Sequence, residues 1–371
     1  MSFDVLVVGS GASGLAAALS AERAGARVGL VAKGSIQSCN SAKAQGGIQA
    51  AFAADDSPEI HAADVFKSSH ETADPRLVEV LTSEAPAAIH WLEELGVAFT
   101  RENGGYRLAR CGGASRKRLL QVGDRTGHAI TKALRDAYEA SSGVVFEHHA
   151  LTALEPGDRA WTVTCETRGG TAALEAATVV LAAGGRCFAE AQARGELSTN
   201  HPGATGEVTR IALDLGAEAR DLDALQYHPN GGAWPDTMQG YSIPETTRAY
   251  GAVLLNADRE EFTDSLGPRD VVAQAIVDEV AAGRGVETPD GRPAVWLDTT
   301  RIPVGDAEIS LPYMLRRYRA AGIDPQTLEN ARFLLEHRTG GAKAADPTQL
   351  QTLQTSIRIL PAGASAPERI V

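Results

Sequence analysis

Residues 3–8 (FDVLVV) form an apolar run of strand length interrupted only by Asp4, the pattern of a buried parallel strand. The run passes directly into Gly9-Ser10-Gly11-Ala12-Ser13-Gly14, then into residues 15–24, rich in alanine and other helix formers. Strand, glycine turn and helix in that order are the context in which a GxGxxG spacing binds a dinucleotide. Gly9 permits the tight turn, Gly11 admits a pyrophosphate to the backbone, and Gly14 lets the helix pack close to the strand. Ala12 and Ser13 open that helix, whose free N–H groups face the phosphates. A second strand is expected over residues 27–32, followed by Lys33, where a plain NAD site carries an acidic residue for the ribose.

Further along, residues 75–95 repeat apolar positions at helical spacing and stop at Gly96. Residues 124–140 predict another helix, with Gly127 near its start. Residues 144–183 alternate as short strands and predict the small sheet that nucleotide-binding folds often carry. The last of these, 178–183, is apolar and runs into Ala183-Gly184-Gly185. A helix is expected after the turn at Thr205-Gly206-Glu207, ending at Gly216. From about Leu222 to Pro325 the texture changes to segments punctuated by proline and glycine. Alternating strands and helices favour an α/β fold with a doubly wound parallel sheet.

Composition narrows the class. At 371 residues the chain has room for two cores, and its net charge of −12 argues against nucleic acid or an anionic membrane surface as partner. No 18-residue apolar stretch predicts membrane insertion, and the N-terminus is already the first strand, so no signal segment is expected. Cys39, Cys111, Cys165 and Cys187 lack metal-site or CxxC spacing, which fits reduced thiols and a cytoplasmic protein.

The stretch Ser38-Cys39-Asn40-Ser41-Ala42-Lys43-Ala44-Gln45-Gly46-Gly47 is small, polar and glycine-ended, suited to wrapping a flat ring with backbone groups. With the GSGASG turn, SAKAQGGI, GDRTGHA (including Asp124), VVLAAGG, QYHP and PRDVV occur in family order. On these motifs, residues 1–325 resemble the flavoprotein subunit family of fumarate reductase, succinate dehydrogenase and L-aspartate oxidase. The resemblance implies a Rossmann-type FAD-binding domain at 1–223, an inserted α+β capping domain carrying substrate contacts at 224–325, and an atypical C-terminal segment at 326–371. FAD is the implied cofactor, with Gly9, Gly11, Ala12, Ser13, Gly14, Lys33, Ser38, Asn40, Ser41, Ala44, Gln45, Gly46, Gly47, Asp124, Ala183 and Gly184 as its contacts.

By the same resemblance, His228 holds a carboxylate of a small C4 dicarboxylate, and Glu245 and Arg248 stand beside the substrate and proton path. Arg269 then moves a proton on one carbon while hydride passes between its neighbour and flavin N5. From the residues alone, a structural role stays open for each: a backbone-bonded His228, a Glu245–Arg248 ion pair, an Arg269–Asp264 cap. An arginine at a helix N-terminus is electrostatically misplaced, which marks Arg269 for attention. It needs a carboxylate partner to exchange its proton, with Asp270 or Glu245 as candidates. An electron-transfer partner is also implied.

Four departures from the family pattern matter. Asn40 replaces the histidine of covalent flavin attachment, so a non-covalent cofactor is expected. Cys111 stands where aspartate oxidases carry a glutamate, which counts against aspartate as substrate. Pro244 replaces a threonine, and Val208 the second glycine of a Thr-Gly-Asp-Gly turn. After Pro325 only Glu336-His337-Arg338-Thr339-Gly340-Gly341 echoes the family's return segment, making His337 a candidate second substrate histidine. The closing part of the FAD domain is therefore expected to be lost or replaced. L-aspartate oxidase remains an alternative function, and an inactive flavin- or partner-binding remnant an alternative of another class.

Overall fold

A computed structural model describes residues 1–219, 222, 224–323, 332–336 and 358–361. The first apolar run becomes strand Ser2–Val8, the centre of a seven-stranded sheet. On one side lie the parallel strands Val28–Val31 and Val144–Phe146; on the other lies Gly170–Leu181, also parallel. Every residue of Val28–Val31 is buried, as a central strand covered on both faces must be. The short strands expected in 144–183 form, and they join the main sheet. Gly170–Leu181 is twelve residues long, so residues 170–176 pair antiparallel with Trp161–Thr167 while residues 175–181 pair with Ser2–Val8. One long strand thus fuses the hairpin strands, including Ala150–Pro156, to the parallel sheet. Arg358–Pro361 pairs with its last residues.

One face of this sheet is covered by helices Ala12–Arg23, Pro75–Glu94 and Thr126–Glu139, whose Leu15, Ile89 and Leu134 share a core with Val7 and Leu30. The opposite face buries Phe3, Leu6, Trp161 and Val163 beneath helix Glu207–Asp214. Pro75–Glu94 starts with proline at its first position and Asp74 accepting the Arg76 N–H, the start predicted for it.

A second, antiparallel sheet has the order Gly231–Trp234, Arg332–Glu336, Pro293–Asp298, Val253–Leu255, with Val286–Glu287 added on Pro293–Asp298. Helices Arg269–Ala281 and Pro312–Ala320 close over it around Leu254, Val272, Ile276, Leu297 and Met314. The two layers are clipped together by Asp124. Its carboxylate accepts the N–H groups of Tyr313 (2.9 Å) and Met314 (2.6 Å), which open helix Pro312–Ala320. Gln45 donates to Tyr241 Oη at 3.2 Å, and Tyr250 donates to Gln121 Oε1 at 2.6 Å across the same junction. Among the described residues, no helix is long and apolar enough to cross a membrane.

Candidate functional site: a glycine cradle and a charged cluster

Three glycines make the cradle by leaving out a side chain. Gly9 has φ +118°, and a Cβ there would stand 2.3 Å from the Ala182 carbonyl oxygen; on Gly14 it would stand 1.8 Å from the Gly9 oxygen. Gly11 caps helix Ala12–Arg23 without a side chain, and the first turn carries no acidic residue, which leaves its positive end for an anion. Ser41 Oγ accepts the Ala12 N–H at 3.1 Å and so draws the 38–47 segment onto this helix start. Gly127 lets helix Thr126–Glu139 meet that segment: its N–H reaches the Ala44 oxygen at 2.9 Å, and a Cβ would lie 2.0 Å from the Ser41 oxygen. Gly47 is pressed on the Leu120 carbonyl in the same way. Gly46 and Gly184, by contrast, face open space, with nothing within 4 Å of where a Cβ would be. A pyrophosphate at the helix start and a flat ring along bare backbone fit this arrangement.

Several polar side chains expected at the cofactor are committed to the protein. Lys33 Nζ donates to Thr205 Oγ1 (2.6 Å), Glu207 Oε1 (2.6 Å) and the Gly203 oxygen (3.3 Å), using all three of its N–H bonds. Burial works against the Glu207 carboxylate, but Lys33 and Thr205 hold its pKa below the usual range. Asn40 Oδ1 accepts the His201 N–H at 2.6 Å while its Nδ2 donates to Asn200. Ser38 Oγ is 2.8 Å from His201 Nε2. Asp124, buried at the layer junction, spends both oxygens on Tyr313 and Met314. Nothing in residue spacing signalled the 199–207 loop as partner to Lys33, Ser38 and Asn40; the altered Thr205-Gly206-Glu207 turn was its only trace.

Beside this loop a cleft is lined by Thr199, Asn200, Gln226, Tyr227 and His228, the last of which belongs to the second group of expected residues. Four of these come together. Glu245 Oε2 accepts from Arg269 Nε at 2.6 Å and lies 3.8 Å from Arg248 Nη2, while its Oε1 accepts the Gly112 N–H at 2.8 Å. Arg269 is the first residue of its helix, with Pro268 as the cap rather than the first helical residue. Its partner is Glu245; Asp264 caps the Leu266 N–H, and Asp270 pairs with His70 at 2.7 Å. Arg269 keeps 44% of its side chain exposed, whereas Arg248 is buried, with Nη1 on the Ser265 oxygen and Nε making no hydrogen bond.

Charge sets the protonation of the cluster. Burial opposes the Glu245 carboxylate, yet Arg269 and Arg248 outweigh it and hold its pKa below the usual range. Burial, reinforced by Arg269 and Arg248, pushes His228 down to about 3, so its imidazole is neutral at physiological pH. The Cys111 thiol is pushed up to about 12 by burial and by nearby Glu245, and stays protonated. Gly112 went unnoticed in the sequence because a backbone N–H has no side-chain signature. Asn230, two residues past His228, is buried with neither amide atom hydrogen-bonded. His337 lies outside the described residues.

The glycine cradle on a doubly wound sheet defines a dinucleotide-binding flavoprotein. Residues 4–356 match the model of the FAD binding domain family, and the chain belongs to that family with FAD as its cofactor. It is 32% identical over 335 residues to a fumarate reductase (CoM/CoB) subunit of Methanothermobacter marburgensis, a match covering 86% of this chain and 60% of that protein. It is 34% identical over 332 residues to L-aspartate oxidase of Nostoc, covering 87% of this chain and 56% of the other. Among solved structures it is similar to quinol fumarate reductase of E. coli, with a TM-score of 0.80 and 25% identity over 91% of this chain and 60% of that one. The chain thus spans about 60% of the length of the curated relatives it matches.

Proposed function

We propose that the chain is the flavin- and substrate-binding part of an FAD-dependent oxidoreductase acting on a C4 dicarboxylate, of the fumarate reductase/succinate dehydrogenase type. One observation carries this reading: a cluster of two guanidinium groups and one carboxylate beside a neutral histidine, locally positive in a chain of net charge −12. Such a site favours a small anion over the field of the whole molecule. FAD, held without a covalent link at the glycine cradle, would supply the two-electron carrier for exchange of hydride with the substrate. Gly9, Gly11, Gly14, Gly46, Gly47 and Gly184 provide its backbone surface, with Ala12, Ser13, Ala44, Gln45 and Ala183 beside them. Lys33, Ser38, Asn40, Ser41 and Asp124 shape that surface through their protein partners.

The protein's part is orientation and proton handling. Neutral His228 offers a ring N–H to a substrate carboxylate. Arg269, half exposed and bonded to Glu245, is the group that gives or takes the proton on the substrate carbon. Glu245 accepts charge from it, and Arg248 behind Glu245 keeps that carboxylate ionised between turnovers. Residues 1–223 as FAD domain and 224–325 as cap, an electron-transfer partner, and a cytoplasmic setting, which fits four free thiols, belong to the same proposal.

L-aspartate oxidase is the second reading, favoured by the 34% identity to the Nostoc protein. Protonated Cys111 gives no negative charge for a substrate amino group, which supports fumarate or succinate, dicarboxylates without one. Assays of the FAD-loaded chain distinguish the two: fumarate reduction by a reduced dye, or L-aspartate oxidation by oxygen with release of peroxide. Fumarate turnover supports the proposal, and peroxide from aspartate without fumarate turnover overturns it.

A further inference from the structure

The turn that presents Gly112 to Glu245 is held from its far side by a buried ion network. Arg118 is fully buried; its Nε and Nη2 donate to the two oxygens of Asp56 at 2.9 and 2.8 Å, and its Nη1 donates to Asp64 Oδ2 at 2.5 Å. The same Asp64 oxygen accepts both the N–H and the hydroxyl of Ser115, at 2.8 and 2.9 Å. From Ser115 the chain runs straight back into the turn, closed by the Ala114 N–H on the Cys111 oxygen at 3.2 Å. Gly113 N–H fastens the turn to the Leu266 oxygen at 2.9 Å, just before the helix that begins with Arg269. At its tip stands Gly112, with its N–H on Glu245. There is no slack at the tip, because a Cβ on Gly112 would lie 2.7 Å from the Gly267 oxygen and 3.2 Å from Glu245 Oε1.

We propose that Arg118, Asp64 and Ser115 are positioning residues for Glu245, setting the 111–114 turn so that the Gly112 N–H stays on Glu245 Oε1. A bidentate buried guanidinium fixes Asp56 and leaves one nitrogen for Asp64, so the Ser115 anchor is rigid. An N–H aimed at a carboxylate favours its charged form. Loosening the anchor therefore makes Glu245 easier to protonate. The groups facing Glu245 are Arg269, Arg248, His228 and Cys111; those facing Asp64 are Arg118, Asp56 and His61. The consequence for proton transfer rests on the proposed function, but the effect on Glu245 itself does not.

Glu22 supplies a matched control. It holds Ser142 by the same two bonds, N–H and hydroxyl at 2.8 Å each, far along the chain from Glu245. The test is carbon-13 NMR of protein labelled at glutamate carboxyls, titrated with pH, with Glu245→Gln assigning the signal. Asp64→Asn is expected to raise the Glu245 midpoint by about one pH unit, tenfold in its ionisation constant. Ser115→Ala, which keeps the N–H bond and folds if Asp64→Asn does not, should move it less in the same direction. Glu22→Gln should leave it in place. Midpoints for Asp64→Asn and Ser115→Ala equal to that of Glu22→Gln would overturn the positioning role. Dye-driven turnover is scored separately: a moving midpoint without turnover removes the proposed function alone, and turnover with a fixed midpoint removes the positioning alone.

Discussion

At the scale of single residues, the site depends on where charge and bare backbone are placed. Gly14 cannot gain a methyl group, since its Cβ would overlap the Gly9 oxygen at 1.8 Å and neither backbone can yield. Gly14→Ala is expected to abolish retention of FAD through desalting, read by the visible flavin absorbance. His228 makes a different prediction. Its folded pKa, about 3, lies below that of a free histidine, so the unfolded state binds more protons between the two values. The stability it contributes is present above about pH 6.5 and is lost as pH falls towards 3, at a slope of up to about 1.4 kcal/mol per pH unit. His228→Gln should flatten the acid side of a plot of urea-unfolding free energy against pH; an unchanged slope would contradict the depressed pKa of the ring. These residues were legible because motifs carry them in side chains or obligatory glycines. The Gly112 donor and the 199–207 partners were not, since they act through backbone groups and contacts distant in sequence.

At the scale of elements, the helix starts decide how the parts meet. Asp124 lies in a motif the sequence points to, but its work is to cap a helix 189 residues away. A carboxylate accepting two first-turn N–H groups contributes about 1–2 kcal/mol when removed by truncation. Asp124→Ala should therefore lower the thermal unfolding midpoint by about 1–3 °C, followed by circular dichroism. No change would mean that Asp124 does not clip the layers. Burial raises the Asp124 pKa despite those two bonds, so its own titration opposes folding as pH rises through the raised value. Helix Pro75–Glu94 was readable from periodicity and strand Ser2–Val8 from its apolar run. The fusion of the hairpin strands with the parallel sheet was not, because alternation does not reveal that a twelve-residue strand has two partners along one length.

At the scale of the whole molecule, a sheet layer with a bare-backbone cradle meets a second layer that brings Glu245, Arg248, Arg269 and His228 to one place. On the proposed function, a locally positive cluster in a chain of net charge −12 binds a small dianion that the rest of the chain repels, so this binding should weaken with added salt. The affinity for fumarate, measured by flavin absorbance at rising ionic strength, is expected to fall steadily. The most direct measurement compares the FAD-loaded chain with its Arg269→Ala variant, reading flavin content and dye-driven fumarate reduction together. Equal flavin content is expected, with turnover reduced at least a hundredfold, on the order of what a positioned proton donor supplies. Equal turnover in the two proteins would contradict the assignment of the proton step to Arg269 and, with it, the central reading of the site.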